Sequence, residues 1–134
     1  MQRLEFSQTH AYANDEQGVA IPVVLRTGSV EVRLVASLDT GASFCLFAGE
    51  VAVRLGLDLE SGSRKRFRTA NSVFEAYGHE IELTTLGIVT FSTIYFFADP
   101  MIVKNVLGRA GWLDRVRLGL VDHDSILYLA PYEE

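Results

Sequence analysis

The sequence predicts a single all-β domain with two short helices. Runs rich in Val, Ile and Leu recur at strand length between turn-forming residues, and only two stretches place apolar residues at helical spacing. A length of 134 residues suits one domain with one core. We expect a polar lead-in at residues 1–18, with residues 7–18 mobile, and the folded domain at residues 19–134.

The first two strands are predicted to form a β-hairpin. Residues 19–25 and Val30–Leu38 are apolar runs, and Thr27-Gly28-Ser29 lies between them as a turn signal. Charged residues alternate with apolar ones at the start of the second run, but the alternation stops before Leu38. This change predicts a strand that ends inside the protein.

The middle of the chain is predicted to contain a short strand, a brief helix and two longer strands, at residues 44–47, 50–55, 67–76 and 79–85. Gly56 stands where it can end the helix, because glycine readily adopts the left-handed conformation of a helix C-cap. Ala70-Asn71-Ser72 is predicted to be the turn of a second hairpin.

The last third is predicted to be strand, short helix and closing hairpin. A strongly β-forming run at residues 88–98 is stopped by Asp99-Pro100, and strand is expected to resume at residues 101–107. Trp112, Leu113 and Val116 share an apolar stripe, which predicts a helix over residues 110–117. The closing hairpin is expected at residues 118–121 and 126–129.

An acidic residue at the end of an apolar strand is the most informative feature of the sequence. Asp39 follows Leu38 and begins the run Asp39-Thr40-Gly41-Ala42-Ser43. A desolvated carboxylate is costly unless hydrogen bonds or a proton shared with a second carboxylate stabilise it. Gly41 permits a sharp turn, and the Thr40 hydroxyl can reach a nearby backbone group. The alternative is a structural turn capped by Asp39, without chemistry.

Three segments together resemble the retroviral-type (retropepsin-like) aspartic peptidases, in particular single-domain bacterial members. They are Asp39-Thr40-Gly41-Ala42-Ser43, Arg68-Thr69-Ala70-Asn71-Ser72 and Asn105-Val106-Leu107-Gly108-Arg109, and the resemblance covers about residues 19–130. It implies a single-lobe acid-protease fold, a closed β-barrel with two short helices.

The resemblance also implies an aspartic endopeptidase that cleaves peptides or proteins near apolar residues. The chemistry needs two carboxylates, and the chain has one Asp-Thr-Gly triplet, so a homodimer with one Asp39 from each copy is implied. By resemblance, Asp39 is catalytic, Thr40, Gly41 and Ala42 support the catalytic loop, Thr69, Ala70, Asn71 and Ser72 form the flap, and Val106, Leu107, Gly108 and Arg109 line the substrate pocket or support the loop. For Val106 and Leu107, a purely structural role is equally open.

The sequence departs from the viral pattern in several places. Ser43 and Phe44 stand where viral relatives have acidic residues, which leaves Arg109 without the partner expected there. The flap is not rich in glycine, which predicts a smaller motion. Ala42 cannot donate a hydrogen bond to the carboxylate as Ser or Thr can, which predicts an activity optimum less acidic than that of digestive relatives. Whether residues 4–7 or 127–132 interleave in a dimer sheet is open.

Other functions compete with this interpretation. The runner-up is a binding or scaffold module that keeps the fold without turnover. A Cys45 nucleophile would need His10, His79 or His123 nearby in space. A metal hydrolase built on His79, Glu80 and Glu82 is opposed by strand geometry, which points His79 away from both glutamates; we expect these three to be surface residues and no metal or cofactor.

Charge and composition narrow the partners and the location. A net charge of −5 with spread basic residues argues against nucleic acid, and no apolar run is long enough for a membrane span or signal peptide. We therefore expect a cytoplasmic protein. The cluster Arg64-Lys65-Arg66 with Arg68 is interpreted either as solvated charge or as a means of drawing acidic substrates.

Overall fold

A computed structural model describes residues 1–13, 15 and 18–133. Ten strands and one α-helix occur in these residues, with single 3-10 turns at Leu59–Ser61, Leu113–Arg115 and Asp122–Asp124. The elements in chain order are β1 Gln8–Ala11, β2 Ala20–Thr27, β3 Val30–Leu38, β4 Leu46–Phe47, α1 Gly49–Arg54, β5 Ser63–Arg68, β6 Val73–Thr85, β7 Ile88–Phe97, β8 Val106–Leu107, β9 Val116–Val121 and β10 Ile126–Pro131.

Seven strands form one sheet that closes on itself. Their order is β2-β3-β8-β4-β7-β6-β5, and β2 also pairs with β6 through Val24↔Thr84, Leu25↔Leu83 and Arg26↔Glu82. Six strands therefore make a ring, and β5 is attached to its outside as one arm of the β5–β6 hairpin. The predicted all-β architecture with few short helices is confirmed.

The remaining three strands form a small second sheet in the order β1-β10-β9. The C-terminal strand β10 lies in its centre, antiparallel to both neighbours. Residues 126–129 of β10 are thus paired on both edges within one chain, whereas Ala130 and Pro131 pair only with β9. The terminal interleaving of viral dimers is therefore not available to residues 127–129 in this arrangement.

The core fills the ring and the space between the two sheets. Alternate side chains of β2 point inward, and Ile21, Val23 and Leu25 are buried. Trp112 is also fully buried, and its indole Nε1 donates to Thr85 Oγ1 at 3.0 Å, which satisfies both polar atoms. This tryptophan connects the chain after β8 to the end of β6.

Several local predictions are wrong. Gln8–Ala11 is not a mobile lead-in, because it forms β1 on the edge of β10; residues 14, 16 and 17 of that segment, and residue 134 of the predicted domain, lie outside the described residues. The strand predicted at residues 101–107 is only Val106–Leu107. Residues 77–78 do not interrupt β6, since Gly78 leaves room there for the Tyr95 ring to pack closely.

The predicted helix at residues 110–117 is likewise wrong and is reduced to the single turn Leu113–Arg115. Trp112 is drawn into the core and Val116 already begins β9, so tertiary packing divides the apolar stripe between two elements. The other predicted helix is confirmed as α1 Gly49–Arg54, and Gly56 ends it with φ +77°.

Candidate active site

Asp39 is the first residue after β3, and its own turn holds its carboxylate. The Asp39 backbone N–H donates to Leu107 O at 3.0 Å, and the Asp39 carbonyl accepts from Ala42 N at 3.1 Å. The Gly41 N–H donates to the carboxylate Oδ1 at 2.9 Å. A backbone donor aimed at a carboxylate fixes the direction of the side chain.

The segment 105–110 forms the support of the Asp39 loop from below. Arg109 N donates to Ala42 O at 2.9 Å, and Ala110 N donates to Ser43 O at 2.8 Å. A Cβ on Gly108 would lie 2.1 Å from Phe44 O, a distance at which the backbones could not pack as they do. Gly108 is therefore required by the close crossing of two backbone segments.

Cys45 lies buried within the same crossing. Its side chain is 0% exposed, and its Sγ accepts a hydrogen bond from Gly108 N at 3.5 Å. Burial raises the pKa of the Cys45 thiol to about 11, although the Gly108 hydrogen bond opposes that shift. A thiol that stays protonated and inaccessible is unsuited to nucleophilic attack, so Cys45 is a structural residue.

Asp39, Thr40 and Gly41 are exposed in the single chain, which corrects the expectation of a strand end deep inside the protein. Only Val32 and Ala36 of β3 are buried, and Val35 is 57% exposed, so one face of the strand stays uncovered to its end.

A cleft of about 360 Å³ opens beside Asp39 and is walled by aromatic rings. Phe44 follows the Asp39 loop, Phe67 and Phe74 come from the β5–β6 hairpin, and Phe97 ends β7. Phe67 stacks on Phe74 at 5.2 Å between ring centroids, and Phe44 meets Phe67 edge-on at 5.7 Å. The cleft is thus large enough for a side chain and mainly apolar.

The predicted flap is the tip of the β5–β6 hairpin. Thr69 N donates to Ser72 O at 2.9 Å, and Ser72 N donates to Thr69 Oγ1 at 3.1 Å, so the tip is closed by its own turn. Thr69 lines the cleft together with Asp39, and Ser72 lines its outward continuation. Ala70 and Asn71 are exposed at the extreme tip and line neither.

The residues predicted around Gly108 fall into different places. Val106 lines the cleft, whereas Leu107 is fully buried and paired with Leu38. Arg109 faces a separate concavity that Ser43 and Asp114 also line. The ion pairs formed within the described residues do not include Arg109.

Sequence reasoning did not assign five of the cleft residues to the site: Phe44, Leu46, Phe97, Arg68 and Lys104. Phe97 lies in the strongly β-forming run at residues 88–98 and is only 4% exposed, yet it borders the cleft as well. Lys104 lies in an irregular segment before β8 and carries no local signal. Arg68 stood within the basic cluster, where no pattern separated it from its neighbours.

The distant metal alternative gains no support from the described residues, where no group of three or more potential ligand side chains occurs. His79 is not a surface residue as expected: it is half-buried, and its Nε2 lies 2.9 Å from Leu59 O. Of the helices described, none has the length and apolarity to cross a bilayer.

Comparison with known proteins adds independent findings. The sequence profile of the family described as "Aspartyl protease" matches residues 21–110. The chain is similar in structure to a retropepsin-like aspartic protease from Rickettsia conorii, with a TM-score of 0.64 and 20% identity over 92% of this chain and 99% of the other. No curated protein matches the chain. The structural likeness confirms the predicted retropepsin-like fold.

Proposed function

Because the chain belongs to the aspartyl protease family, we propose that it is an aspartic endopeptidase that works as a homodimer. In this proposal each copy contributes one Asp39, and the two carboxylates activate a water molecule that hydrolyses a peptide bond near apolar residues. The observation that carries the proposal is the Asp39 loop, which is clamped by segment 105–110 and open to an aromatic cleft.

The exposure of Asp39 supports the need for a second copy. The chain has one Asp-Thr-Gly triplet, and a lone exposed carboxylate has no counterpart with which to share a proton. A twin placed against Asp39, Thr40 and Gly41 would cover these residues and remove them from water. Thr40 would then stabilise the paired loops, and Gly41 and Ala42 would leave room for water and substrate.

The chemistry follows from the repulsion of like charges. Two carboxylates a few ångströms apart cannot both ionise cheaply, so the pair keeps one proton over an intermediate pH range. The ionised member takes a proton from the water, and the protonated member polarises the scissile carbonyl. Closing the hairpin tip, residues 69–72, over an extended peptide would exclude bulk water from this step.

The runner-up is a peptide-binding module with the same fold and no turnover. The single chain by itself favours it in one respect, since it presents an apolar cleft beside only one acid. A cytoplasmic location stays a prediction from the sequence.

The test combines sedimentation with cleavage of a random peptide pool by wild type, Asp39→Asn and the matched control Asp58→Asn. Asp58 is exposed and does not line the cleft. We expect Asp39→Asn to lower cleavage by at least about 100-fold and Asp58→Asn to leave it unchanged. Excess Asp39→Asn should also inhibit wild type, because mixed pairs hold one acid. Equal cleavage by wild type and Asp39→Asn would refute the proposal.

A further inference from the structure

The aromatic cleft does not end at Phe97. Its outer end opens into a second concavity of about 540 Å³, which shares Thr69, Phe74, Phe97 and Lys104 with the cleft. Two side chains of this outer part, Met101 and Val103, are 84% and 75% exposed. We call the combined feature the groove; it runs from Asp39 between the hairpin tip and the irregular segment 98–105.

The groove differs in charge from the molecule as a whole. The chain carries a net charge of −5, yet the charged residues that line the groove are Arg68, Lys104 and the catalytic Asp39. The groove lining thus contains two cations and one carboxylate. A local positive potential on an acidic protein attracts anionic groups to that one place while the remaining surface repels them.

The basic side chains of the sequence cluster differ in whether they already have a partner within the chain. Arg64 and Arg66 both form ion pairs with Glu75, the second at 3.6 Å. The Lys65 ammonium lies 4.1 Å from the centre of the Phe44 ring, behind the cleft wall. The ion pairs made by the described residues include neither Arg68 nor Lys104, and both are exposed.

We propose that Arg68 and Lys104 make the groove select extended peptides that carry a carboxylate side chain a few residues from the apolar side chain bound beside Asp39. This inference rests on the proposed function, since it names the substrate class of the same site. Apolar rings supply the contact area, and the two cations supply the discrimination.

The selection should be modest and sensitive to salt. Both cations are solvated, and an exposed pair of opposite charges changes binding by only about two- to fivefold. Salt near 1 M shortens the screening length to about 3 Å and should remove most of the preference. Arg68 and Lys104 are therefore specificity-determining residues and not catalytic ones.

The experiment uses fluorogenic peptides with one fixed Phe-Leu cleavage site. A single Glu is moved along the positions on both sides, and each peptide has a twin with Gln in its place. At the best position we expect wild type to cleave the Glu peptide about two- to fivefold faster in kcat/KM than its Gln twin. Lys104→Glu should reverse the preference, and Arg68→Gln should reduce it.

Arg33→Glu is the matched control, because it changes the net charge as Lys104→Glu does but lies on β3 outside the groove lining. It should retain the preference of wild type. The same peptides are also titrated against Asp39→Asn by fluorescence anisotropy, so that charge selection is measured without cleavage.

The outcomes distinguish the two proposals. Cleavage with equal rates for Glu and Gln at every position, or a preference that Lys104→Glu leaves intact, overturns the charge selection alone. Absence of Asp39-dependent cleavage refutes the proposed function, and the anisotropy titration then decides whether the groove still selects acidic peptides. Equal affinity for Glu and Gln peptides in that titration also overturns the inference.

Discussion

The two walls of the cleft are held in different ways. On one side, the Asp39 loop is fastened to segment 105–110 by backbone hydrogen bonds of 2.8 to 3.0 Å. On the other side, the hairpin tip at residues 69–72 is closed by its own turn and rests on aromatic rings. One wall depends on close backbone packing, and the other depends on contacts between aromatic side chains.

In the proposed protease, this difference would let one small domain combine a fixed catalytic group with a movable cover. Catalytic carboxylates need a fixed position, because small displacements of reacting groups cost much of the rate. A covering hairpin needs to open for an extended substrate. Phe67 and Phe74 are paired within the hairpin and would move with it. The contacts that would part are those of Phe67 with Phe44 and of Phe74 with Phe97, and neither is a backbone hydrogen bond of the Asp39 loop. The predictions below test this division, beginning with the fixed wall.

Gly108→Ala should have the largest effect. The added Cβ would lie 2.1 Å from Phe44 O and 2.8 Å from Ala42 O, so the crossing beneath Asp39 has to open. We expect the free energy of unfolding in urea to fall by about 3 kcal/mol or more, with loss of Asp39-dependent cleavage.

Gly28→Ala is the matched control for that change. Gly28 has φ +60° in the β2–β3 turn, and an added Cβ there meets nothing within 4 Å. Its cost should be only the conformational strain, about 1 kcal/mol. Equal losses in the two variants would show that the close crossing is not the reason for glycine at position 108.

The Cys45 thiol gives the fixed wall a pH signature. Its pKa is raised by burial from the ordinary 9.0 to about 11, so the unfolded chain releases this proton before the folded chain does. The resulting stability is complete below about pH 9 and is lost as pH rises toward about 11, by roughly 2 kcal/mol. Urea titrations across this pH range should show the decline.

Cys45→Ala isolates this contribution from other groups that titrate at high pH. The variant should be less stable at every pH because of the lost packing, but its stability should fall less steeply above pH 9. Identical slopes in wild type and variant would contradict a buried, protonated thiol beneath the loop.

The aromatic wall on the β5–β6 hairpin should show the smallest effect. Phe67 and Phe74 stack at 5.2 Å with 10° between their planes, and both are half-buried. A double-mutant cycle with Phe67→Leu and Phe74→Leu should give a coupling of about 1 kcal/mol in unfolding, with a rise in KM. Val73→Ala is the control, because Val73 is 54% exposed and should change neither quantity. Coupling near zero would mean that the stack does not hold the hairpin.

The regular strands of the ring could be predicted from the sequence, because their apolar runs and the turn-forming residues between them mark the same strand boundaries. Val30–Leu38 and the turn before Val73 lie where the pattern places them. β1 was missed because Gln8–Ala11 is an exposed edge strand whose pairing with β10 leaves no hydrophobic pattern. The helix at residues 110–117 failed because Trp112 packs into the core instead of along a helix.

The site was predictable to the same extent. The motif Asp39-Thr40-Gly41 and the strand that ends at Gly108 are local signals, and the structure brings them together. Lys104 could not be found, because its place in the groove depends on how an irregular segment packs beside Phe97. The roles assigned to Asp39, Thr40 and Gly41 and to the residues around Gly108 stay predictions.

The central position of β10 has a consequence for how the protein is controlled. The described residues of one chain form both sheets, so folding need not await a second copy. If catalysis requires two copies, the protein at low concentration is folded but inactive, and its expression level then controls its proteolytic activity. Below the concentration at which copies pair, its melting temperature should then not change on dilution. Above that concentration, melting temperature and turnover should rise together.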